Sequence, residues 1–223
     1  MSIEVEQVTF RYLEQAPAVL RDFSASFADG RITAVVGNNG CGKTTLSRLI
    51  LGILRPQQGR ITVDGTPAAD LSLAEMGRRI GYVMQNPARQ IFSTSVREEM
   101  LYGLHNLGLD GAEAKRRAAA YLERFDLAGR EEEFPFDLSH GEKQRLVLAA
   151  VLAMQPRWLM LDEPTAALDY GRRDRLCEYL LELKKERACG VLLISHDRRF
   201  IERCADEVLR IEDGRAVPGG NHA

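Results

Sequence analysis

The segment Gly37-Asn38-Asn39-Gly40-Cys41-Gly42-Lys43-Thr44 decides how this chain folds. It matches the pattern G-x-x-x-x-G-K-[ST], in which glycines let the backbone curl so that its N–H groups face phosphate oxygens. Lys43 adds a positive charge for the β- and γ-phosphates, and the Thr44 hydroxyl suits Mg²⁺. An ordinary glycine-rich turn between a strand and a helix is the alternative, but such a turn has no need of a lysine. The segment therefore predicts a phosphate-binding loop.

The residues around this loop have the patterns that it requires. The run 32–36 is apolar, as a buried strand is, and Leu46, Leu49 and Ile50 behind the loop have helical spacing. The helix would begin near Gly42 and direct its positive end at the bound anion. Further strands are predicted at 2–10, 20–28, 60–63, 80–84, 158–161, 191–194 and 207–211, and helices at 95–105, 111–125, 139–154, 171–187 and 198–204.

The order of these elements predicts the fold class. After residue 156 strands and helices alternate, which implies a parallel sheet covered by helices. The segments before residue 65 are strands joined by turns, and the stretch 87–155 is mainly helical. We therefore predict an α/β fold with a mainly parallel nucleotide-binding core, an N-terminal antiparallel β part and an inserted helical part.

Composition limits the functions that are open to the chain. It has 223 residues, 45% of them hydrophobic, and a formal net charge of −2, so one large globular domain is expected. A nucleic-acid partner is not expected, since the basic excess of such proteins is missing. No apolar run approaches the roughly 18 residues of a membrane helix, and the first residues do not resemble a signal peptide. The four cysteines form no CxxC pair, which fits a reducing cytosol.

Polar side chains follow each long core strand, where a doubly wound sheet binds its ligands. Gln85 follows strand 80–84, Asp162 and Glu163 follow 158–161, and His196 follows 191–194. Asp162 suits a magnesium ion, Glu163 is the candidate to polarise an attacking water, and Gln85 could contact either. His196 could reach the γ-phosphate. Taken singly, an acidic pair can be a helix cap and a histidine can be structural, but the phosphate-binding loop favours the functional interpretation.

A second anion site is possible at the start of helix 139–154. Ser139 and Glu142 form an S-x-x-E capping box, which is a complete structural explanation by itself. The free N–H groups, the Ser139 hydroxyl and the bare Gly141 could equally form a second phosphate cradle. The residues alone leave both interpretations open.

Together these motifs resemble the ATP-binding subunit of ATP-binding cassette (ABC) transporters, over essentially the whole chain. Gly37–Thr44 resembles Walker A, Gln85 the Q-loop, Leu138–Glu142 the LSGGQ signature and Trp158–Glu163 Walker B with its catalytic glutamate. Three further features resemble the D-loop, the switch histidine and the adenine-stacking aromatic, namely Ala167–Asp169, His196 and Tyr12.

The resemblance implies a P-loop NTPase core, with ATP and Mg²⁺ as ligands. It implies one ABC ATPase domain over 1–223, in which 1–86 and 156–223 form the β part and the nucleotide-binding core and 87–155 the helical part. Two subunits are expected to pair head to tail, so that each ATP lies between Walker A of one and the signature of the other. The implied ATP-binding residues are Tyr12, Gly37, Asn38, Asn39, Gly40, Cys41, Gly42, Lys43, Thr44 and Thr45, with the metal at Thr44, Gln85 and Asp162. The implied catalytic residues are Glu163, His196 and Gln85, and Ser139, His140, Gly141 and Glu142 would contact the ATP of the partner subunit.

The signature departs from the family pattern at two positions. His140 replaces its second glycine and Glu142 its glutamine. His140 adds bulk where a close approach is needed, and Glu142 puts a carboxylate near a phosphate-binding helix end. We therefore expect one composite ATP site to be weakened, as in an asymmetric pair of subunits.

A finer resemblance lies in Gln85–Phe92 and Ser95–Glu99. These segments are similar to the ATPases of energy-coupling factor (ECF) transporters, which import vitamins and cobalt or nickel ions. In that class the segment after the Q-loop helps to form the groove that receives the membrane subunit. The resemblance implies an ATPase at the cytoplasmic face of the membrane that energises import through an ECF scaffold and a substrate-binding component. Another class of ABC transporter, a soluble ABC ATPase acting on nucleic acid or ribosomes, and a regulatory module that only holds ATP are the alternatives.

Overall fold

The computed structural model describes residues 1–218, so residues 219–223 of the predicted domain lie outside the described part. The strands are β1 (Ser2–Phe10), β2 (Leu20–Ala28), β3 (Ile32–Val36), β4 (Gln58–Val63), β5 (Thr66–Pro67), β6 (Ile80–Val83), β7 (Trp158–Asp162), β8 (Gly190–Ile194), β9 (Glu207–Glu212) and β10 (Arg215–Pro218). The α-helices are α1 (Lys43–Ile50), α2 (Leu73–Arg79), α3 (Val96–Asn106), α4 (Gly111–Arg124), α5 (His140–Ala153), α6 (Tyr170–Arg187) and α7 (Arg198–Cys204).

The central sheet has six strands in the order β10-β9-β3-β8-β7-β6. From β9 to β6 every neighbouring pair is parallel, and only β10 runs antiparallel at the edge. The carboxyl ends of β3, β6, β7 and β8 therefore meet at one edge of the sheet, where parallel α/β sheets bind ligands.

A second, antiparallel sheet has the order β2-β1-β4-β5 and packs on one face of the central sheet. Successive side chains along the central strands point alternately to the two faces of the sheet. Trp158 and Met160 of β7 pack toward the antiparallel sheet and α1, whereas Leu159 and Leu161 pack toward the helices on the other face. This period of two, with apolar residues on both sides, is what a parallel sheet buried on both faces requires. The predicted α/β fold class with its mainly parallel core is confirmed.

The stretch predicted to be helical contains α3, α4 and α5, which pack against one another and extend the larger of the two cores. Ser95, Asp110 and Ser139 cap the starts of these three helices by accepting backbone N–H groups. Within residues 1–218, no helix is both long enough and apolar enough to cross a membrane.

The structure contains elements that the sequence patterns did not predict, namely β5, α2 and β10. Helix α2 is short and buries only Met76, so it has no helical periodicity to recognise. Its start is marked instead by a complete capping box between Ser72 and Glu75. Strand β10 follows a turn in which Asp213 and Gly214 both have positive φ, 47° and 75°, as the two central residues of a type I′ hairpin require.

Candidate nucleotide-binding site

A cleft of about 650 Å³ opens at the carboxyl edge of the central sheet. It brings together residues that are far apart in the sequence and that follow β3, β6, β7 and β8. Its lining consists of Tyr12, Val19, Asn39, Gly40, Gly42, Lys43, Thr44, Thr45, Gln85, Asp162, Glu163, Ala166, Ile194 and His196. The other three predicted loop residues, Gly37, Asn38 and Cys41, line cavities that adjoin the loop from its other side.

Two glycines are required by the path of the phosphate-binding loop. Gly37 has φ of 153°, and a Cβ added there would lie 2.5 Å from the backbone oxygen of Ile211. Gly42 has φ of 113°, and its Cβ would lie 2.8 Å from the Leu20 side chain. Any other residue at these positions would clash and would adopt a strained backbone conformation. Because Gly37 and Gly42 have no side chain, the loop can pack directly against β9 and β2. Any other residue at either position would be destabilising.

Lys43 lies at the first position of α1, and the residue is only 8% exposed. Its Nζ donates hydrogen bonds to the backbone oxygens of Gly37, at 2.7 Å, and Asn38, at 3.1 Å. The ammonium group thus holds both ends of the loop together while remaining in the cleft. Because α1 also begins here, its free N–H groups and its positive dipole end point to the same place. This arrangement can bind a polyphosphate.

Asp162 is the last residue of β7, and its side chain faces Thr44 and Tyr82. The Thr44 hydroxyl donates to Asp162 Oδ2 at 3.4 Å, and the Tyr82 hydroxyl does so at 3.5 Å. Burial raises the pKa of the Asp162 carboxyl, although the hydrogen bond from Thr44 and the charge of Lys43 oppose this. Burial and the nearby Asp162 raise the pKa of Tyr82 to about 12, so this phenol stays protonated.

A hydroxyl and a carboxylate are oxygen donors that suit Mg²⁺. This ion typically takes one or two protein oxygens and completes its shell with substrate phosphates and water. Residues 1–218 hold no cluster of three or more His, Cys, Asp or Glu side chains that would enclose a metal by themselves. Thr44 and Asp162 therefore fit a magnesium ion that arrives with a nucleotide. Gln85, the third predicted ligand, is exposed and lines the same cleft.

Glu163 follows Asp162 in a left-handed backbone conformation, with φ of 51°. Such a conformation is unfavourable for glutamate and is typical of functional sites. The backbone N–H of His196 donates to Glu163 Oε2 at 3.3 Å, and His196 Nε2 lies 3.5 Å from Oε1. Oε1 is buried, and no hydrogen-bond partner for it is found among the described residues. Burial raises the pKa of this carboxyl. The carboxylate of Glu163 thus lies at the wall of the cleft, the position that a general base requires.

Tyr12 stands at the rim of the cleft with its residue 52% exposed. Its hydroxyl lies 3.1 Å from Thr45 Oγ1, and its ring makes an edge-to-face contact with Phe10 at 5.0 Å between centroids. These two contacts fix the ring and leave it accessible for stacking by an aromatic base.

Gln90 and Tyr82 are site residues that the sequence analysis missed. Gln90 Nε2 donates to the Tyr82 backbone oxygen at 2.7 Å, and its Oε1 accepts the Met84 N–H at 3.0 Å. This amide fixes the segment that carries Gln85 to the end of β6. Gln90 lies within the Gln85–Phe92 resemblance, which assigned it no role, and Tyr82 lies on the predicted strand 80–84, shortly before Gln85.

Ser139, His140, Gly141 and Glu142 do not line this cleft. Ser139 and Glu142 form the predicted capping box, with Ser139 N–H donating to Glu142 Oε2 at 2.8 Å. A second contact holds the Glu142 carboxylate, because Arg130 Nη1 lies 2.9 Å from Oε1. The hydrogen bonds from Ser139 and the charge of Arg130 keep the pKa of Glu142 below its usual range. The charge that the signature gains at Glu142 is therefore partly compensated within the chain.

Comparison with known proteins identifies the family. The family model described as "ABC transporter" matches residues 20–166, which span the phosphate-binding loop, the signature and Glu163. The chain belongs to the ABC transporter ATP-binding family. It is an ATPase of the ATP-binding cassette fold, as the sequence motifs predicted.

Three relatives of this ABC ATPase have more specific names. The energy-coupling factor transporter ATP-binding protein EcfA1 of Thermotoga maritima is 39% identical over 96% of this chain and 80% of its own length. The cobalt import ATP-binding protein CbiO of Syntrophus aciditrophicus is 39% identical over 96% of this chain and 76% of its own. The solved structure of cbiO1 from Clostridium perfringens, part of the ABC transporter complex cbiONQ, is 32% identical, with a TM-score of 0.84 over 98% of this chain and 88% of its own.

Proposed function

We propose that this ABC ATPase energises import through a separate membrane complex of the ECF type, in the uptake of a vitamin or a transition-metal ion. It works as one of two ATPase subunits, identical or related, at the cytoplasmic face of the membrane. The observation that carries the proposal is an exposed aromatic pair, in which Phe92 lies on the segment that follows Gln85 and Tyr102 lies on α3. The similarity to EcfA1 and CbiO supports the import direction.

Binding of ATP uses groups that are already in position. The phosphate-binding loop and Lys43 receive the β- and γ-phosphates, and Tyr12 stacks on the adenine. Thr44 and Asp162 hold Mg²⁺, with Gln85 as a further ligand from the cleft rim. When bound, this ion neutralises phosphate charge and polarises the γ-phosphate.

Hydrolysis depends on a water molecule oriented in line with the γ-phosphate. Glu163 lines the cleft, and its carboxylate accepts a proton from that water. His196 lies beside Glu163 and can contact the γ-phosphate, because its side chain is 52% exposed toward the cleft opening. Glu163 combines a left-handed backbone conformation with a place in the lining of the cleft.

The second subunit closes the site. In the proposed head-to-tail pair, Ser139 and Gly141 of the partner subunit bring the positive start of α5 to the γ-phosphate. His140 at that start is exposed and free to meet the nucleotide or the facing subunit. The expected weakening of one composite site by His140 and Glu142 remains a prediction, which the ATPase rate of a His140→Gly/Glu142→Gln variant tests.

The exposed aromatic pair includes a residue, Phe92, whose backbone is fixed by a buried side chain. Phe92 is 60% and Tyr102 54% exposed, with their rings edge to face at 4.7 Å. The carboxylate of the buried Glu99 accepts the backbone N–H groups of Phe92, at 3.2 Å, and Ser93, at 2.9 Å. Ile91 beside them is buried in the core. A solvent-exposed aromatic pair with a fixed backbone is typical of a surface that binds a partner.

Replacing this pair should uncouple membrane binding from catalysis. We expect a Phe92→Ser/Tyr102→Ser variant to lose co-purification with its membrane complex by about tenfold or more, as for interface anchors. Its ATPase rate as a purified subunit should stay within about twofold of wild type, because neither ring lines the nucleotide cleft. The measurement is a quantitative pull-down from gently solubilised membranes, paired with an ATPase assay.

Leu73→Ser is the matched control for the aromatic pair. Leu73 is 69% exposed, but it lies on α2, outside the segment that carries Gln85. The control should retain the membrane complex fully. Equal recovery of the complex by the Phe92→Ser/Tyr102→Ser variant and wild type would contradict the docking role of the pair.

A further inference from the structure

Three arginines surround the carboxylate of Asp126, in the turn after α4. Arg175 Nη1 lies 3.2 Å from Oδ1, Arg145 Nη1 lies 3.5 Å from Oδ2, and Arg172 Nε lies 3.6 Å from Oδ2. The four residues line one cavity of about 150 Å³ between the helical part and the core. The Asp126 carboxylate thus contacts three cations that come from two different helices, α5 and α6.

The backbone at Asp126 is also held by this cluster. Asp126 has φ of 54°, in the left-handed region. Arg145 Nη1 donates to the backbone oxygens of Phe125, at 3.0 Å, and Asp126, at 3.2 Å. The Arg145 side chain is only 10% exposed, so these contacts are shielded from water. The turn after α4 is therefore bound to α5 through both its backbone and its side chain.

The cluster continues to the starts of two helices. Arg172 pairs with Asp169, which caps the start of α6. On the other side, Arg145 Nη2 lies 4.0 Å from Glu142, which belongs to the capping box at the start of α5. Asp126 thus stands in the middle of a continuous chain of ionic contacts, Asp169–Arg172–Asp126–Arg145–Glu142. The two ends of this chain are the D-loop and the signature of the sequence analysis.

Asp126 separates two like charges in this chain of ionic contacts. Burial, and next the charge of Arg172, lower the pKa of Arg145, which means that the two guanidinium groups repel each other. Asp126 lies against both of them. Arg172 Nε is buried and makes no hydrogen bond within residues 1–218, and Asp126 Oδ2 lies 3.6 Å from it, while Nη1 of the same guanidinium pairs with Asp169. Without the Asp126 carboxylate, Arg145 on α5 and Arg172 on α6 would face each other with no anion between them.

We propose that Asp126 is a positioning residue, which fixes the start of α5 relative to the start of α6 and so sets the rate of ATP hydrolysis without contacting ATP. This inference rests on the proposed head-to-tail pair, in which the start of α5 faces the nucleotide bound to the partner subunit. Asp126 does not line the nucleotide cleft, so the affinity of a single subunit for ATP should not depend on it.

Asp126→Asn is the decisive variant. Asparagine has the same shape and tolerates the left-handed conformation, so only the charge is removed. We expect kcat to fall about tenfold, equivalent to ~1.4 kcal/mol, with KM for ATP within about twofold of wild type. Asp126→Gly favours the backbone conformation and also removes the carboxylate, and it should lose kcat to a similar degree. Both are assayed well below the melting temperature of every variant.

A double-mutant cycle with Ser139→Ala separates positioning from general destabilisation. If Asp126 acts through the start of α5, the double variant should lose much less than the product of the two single effects. Glu132→Gln is the matched control, because it removes an exposed ion pair with Arg97 in the same helical part and should leave kcat unchanged. Wild-type kcat in Asp126→Asn, full kcat in Asp126→Gly, or a fully additive cycle would each overturn the proposal. An error in the proposed catalytic site would show instead as normal turnover in the Glu163→Gln variant, in which Asp126 is intact.

Discussion

Replacing Glu163 by glutamine is expected to stop ATP turnover while leaving ATP bound. The amide matches the carboxylate in size and can still accept the His196 backbone N–H, so the local structure should persist. It cannot accept a proton from water, and removal of such a general base typically costs about 10²–10⁴-fold in rate. We therefore expect kcat to fall in that range and an ATP-bound dimer to accumulate. Single-turnover ATPase assays and light scattering with and without Mg-ATP measure the two effects.

Glu186→Gln is the matched control for this experiment. Glu186 is an exposed glutamate near the end of α6, and it lines neither the nucleotide cleft nor the cavities beside the phosphate-binding loop. Its removal changes the net charge equally and should leave turnover at the wild-type rate. Normal turnover in Glu163→Gln would refute the role given to Glu163 as the general base. Loss of ATP binding in that variant would mean that Glu163 supports the structure of the cleft rather than the chemistry.

Replacing Lys43 by alanine should have the opposite effect, which is a loss of ATP binding. The ammonium donates hydrogen bonds to the backbone oxygens of Gly37 and Asn38 and so stabilises the shape of the loop. It also supplies the positive charge for the phosphates. Loss of one preorganised donor to a developing charge typically costs about 10²–10³-fold. We expect kcat/KM to fall by at least that much, with no ATP-dependent dimer. Equilibrium binding of a fluorescent ATP analogue is the measurement.

Lys115→Ala controls for the lost charge, since Lys115 is exposed on α4 and remote from the cleft. It should bind the analogue as wild type does. A Lys43→Ala variant that retains wild-type affinity would show that the backbone N–H groups of the loop suffice without the ammonium. The contrast between Lys43 and Glu163 then separates binding from hydrolysis, because the first variant loses the nucleotide and the second retains it.

The parts of the fold and of the site that follow local rules could be predicted from the sequence. Strands β1, β2 and β3 have the bounds that their patterns indicated, because strand alternation and Gly turns are read over a few residues. The gathering of Gln85, Asp162, Glu163 and His196 in one cleft also follows from a general rule. Parallel strands deliver their carboxyl ends to one edge, whatever the order in which they occur along the chain.

The elements that were missed have signals that are weak or unlike those of the rest of the fold. The capping box at Ser72 and Glu75 marked α2, but the helix spans only Leu73–Arg79 and buries a single side chain. The Asp213-Gly214 turn marked a hairpin, whose second strand is short and lies at the sheet edge. Such elements are stabilised by tertiary contacts more than by their own pattern.

Contacts between distant segments lay beyond the sequence patterns. Nothing at Arg130 indicates that its guanidinium meets Glu142, and this contact changes how the altered signature is understood. The contacts of Asp126 with α5 and α6 are similar, since they depend on how the turn after α4 is oriented. Side-chain pairing of this kind is set by the packing of helices, which a single sequence does not specify.

The central claim is that this ATPase drives transport through a separate membrane complex, and the proteins that Glu163→Gln captures test it most directly. The tagged variant is expressed in its own cell, the membranes are solubilised gently with Mg-ATP, and co-purified proteins are identified by mass spectrometry. The proposal predicts a helical membrane scaffold together with a small hydrophobic subunit, both lost when Phe92 and Tyr102 are replaced by serine. Recovery of ribosomal or DNA-bound proteins without any membrane protein would contradict the transport function. Only the assignment as an ATPase would then remain.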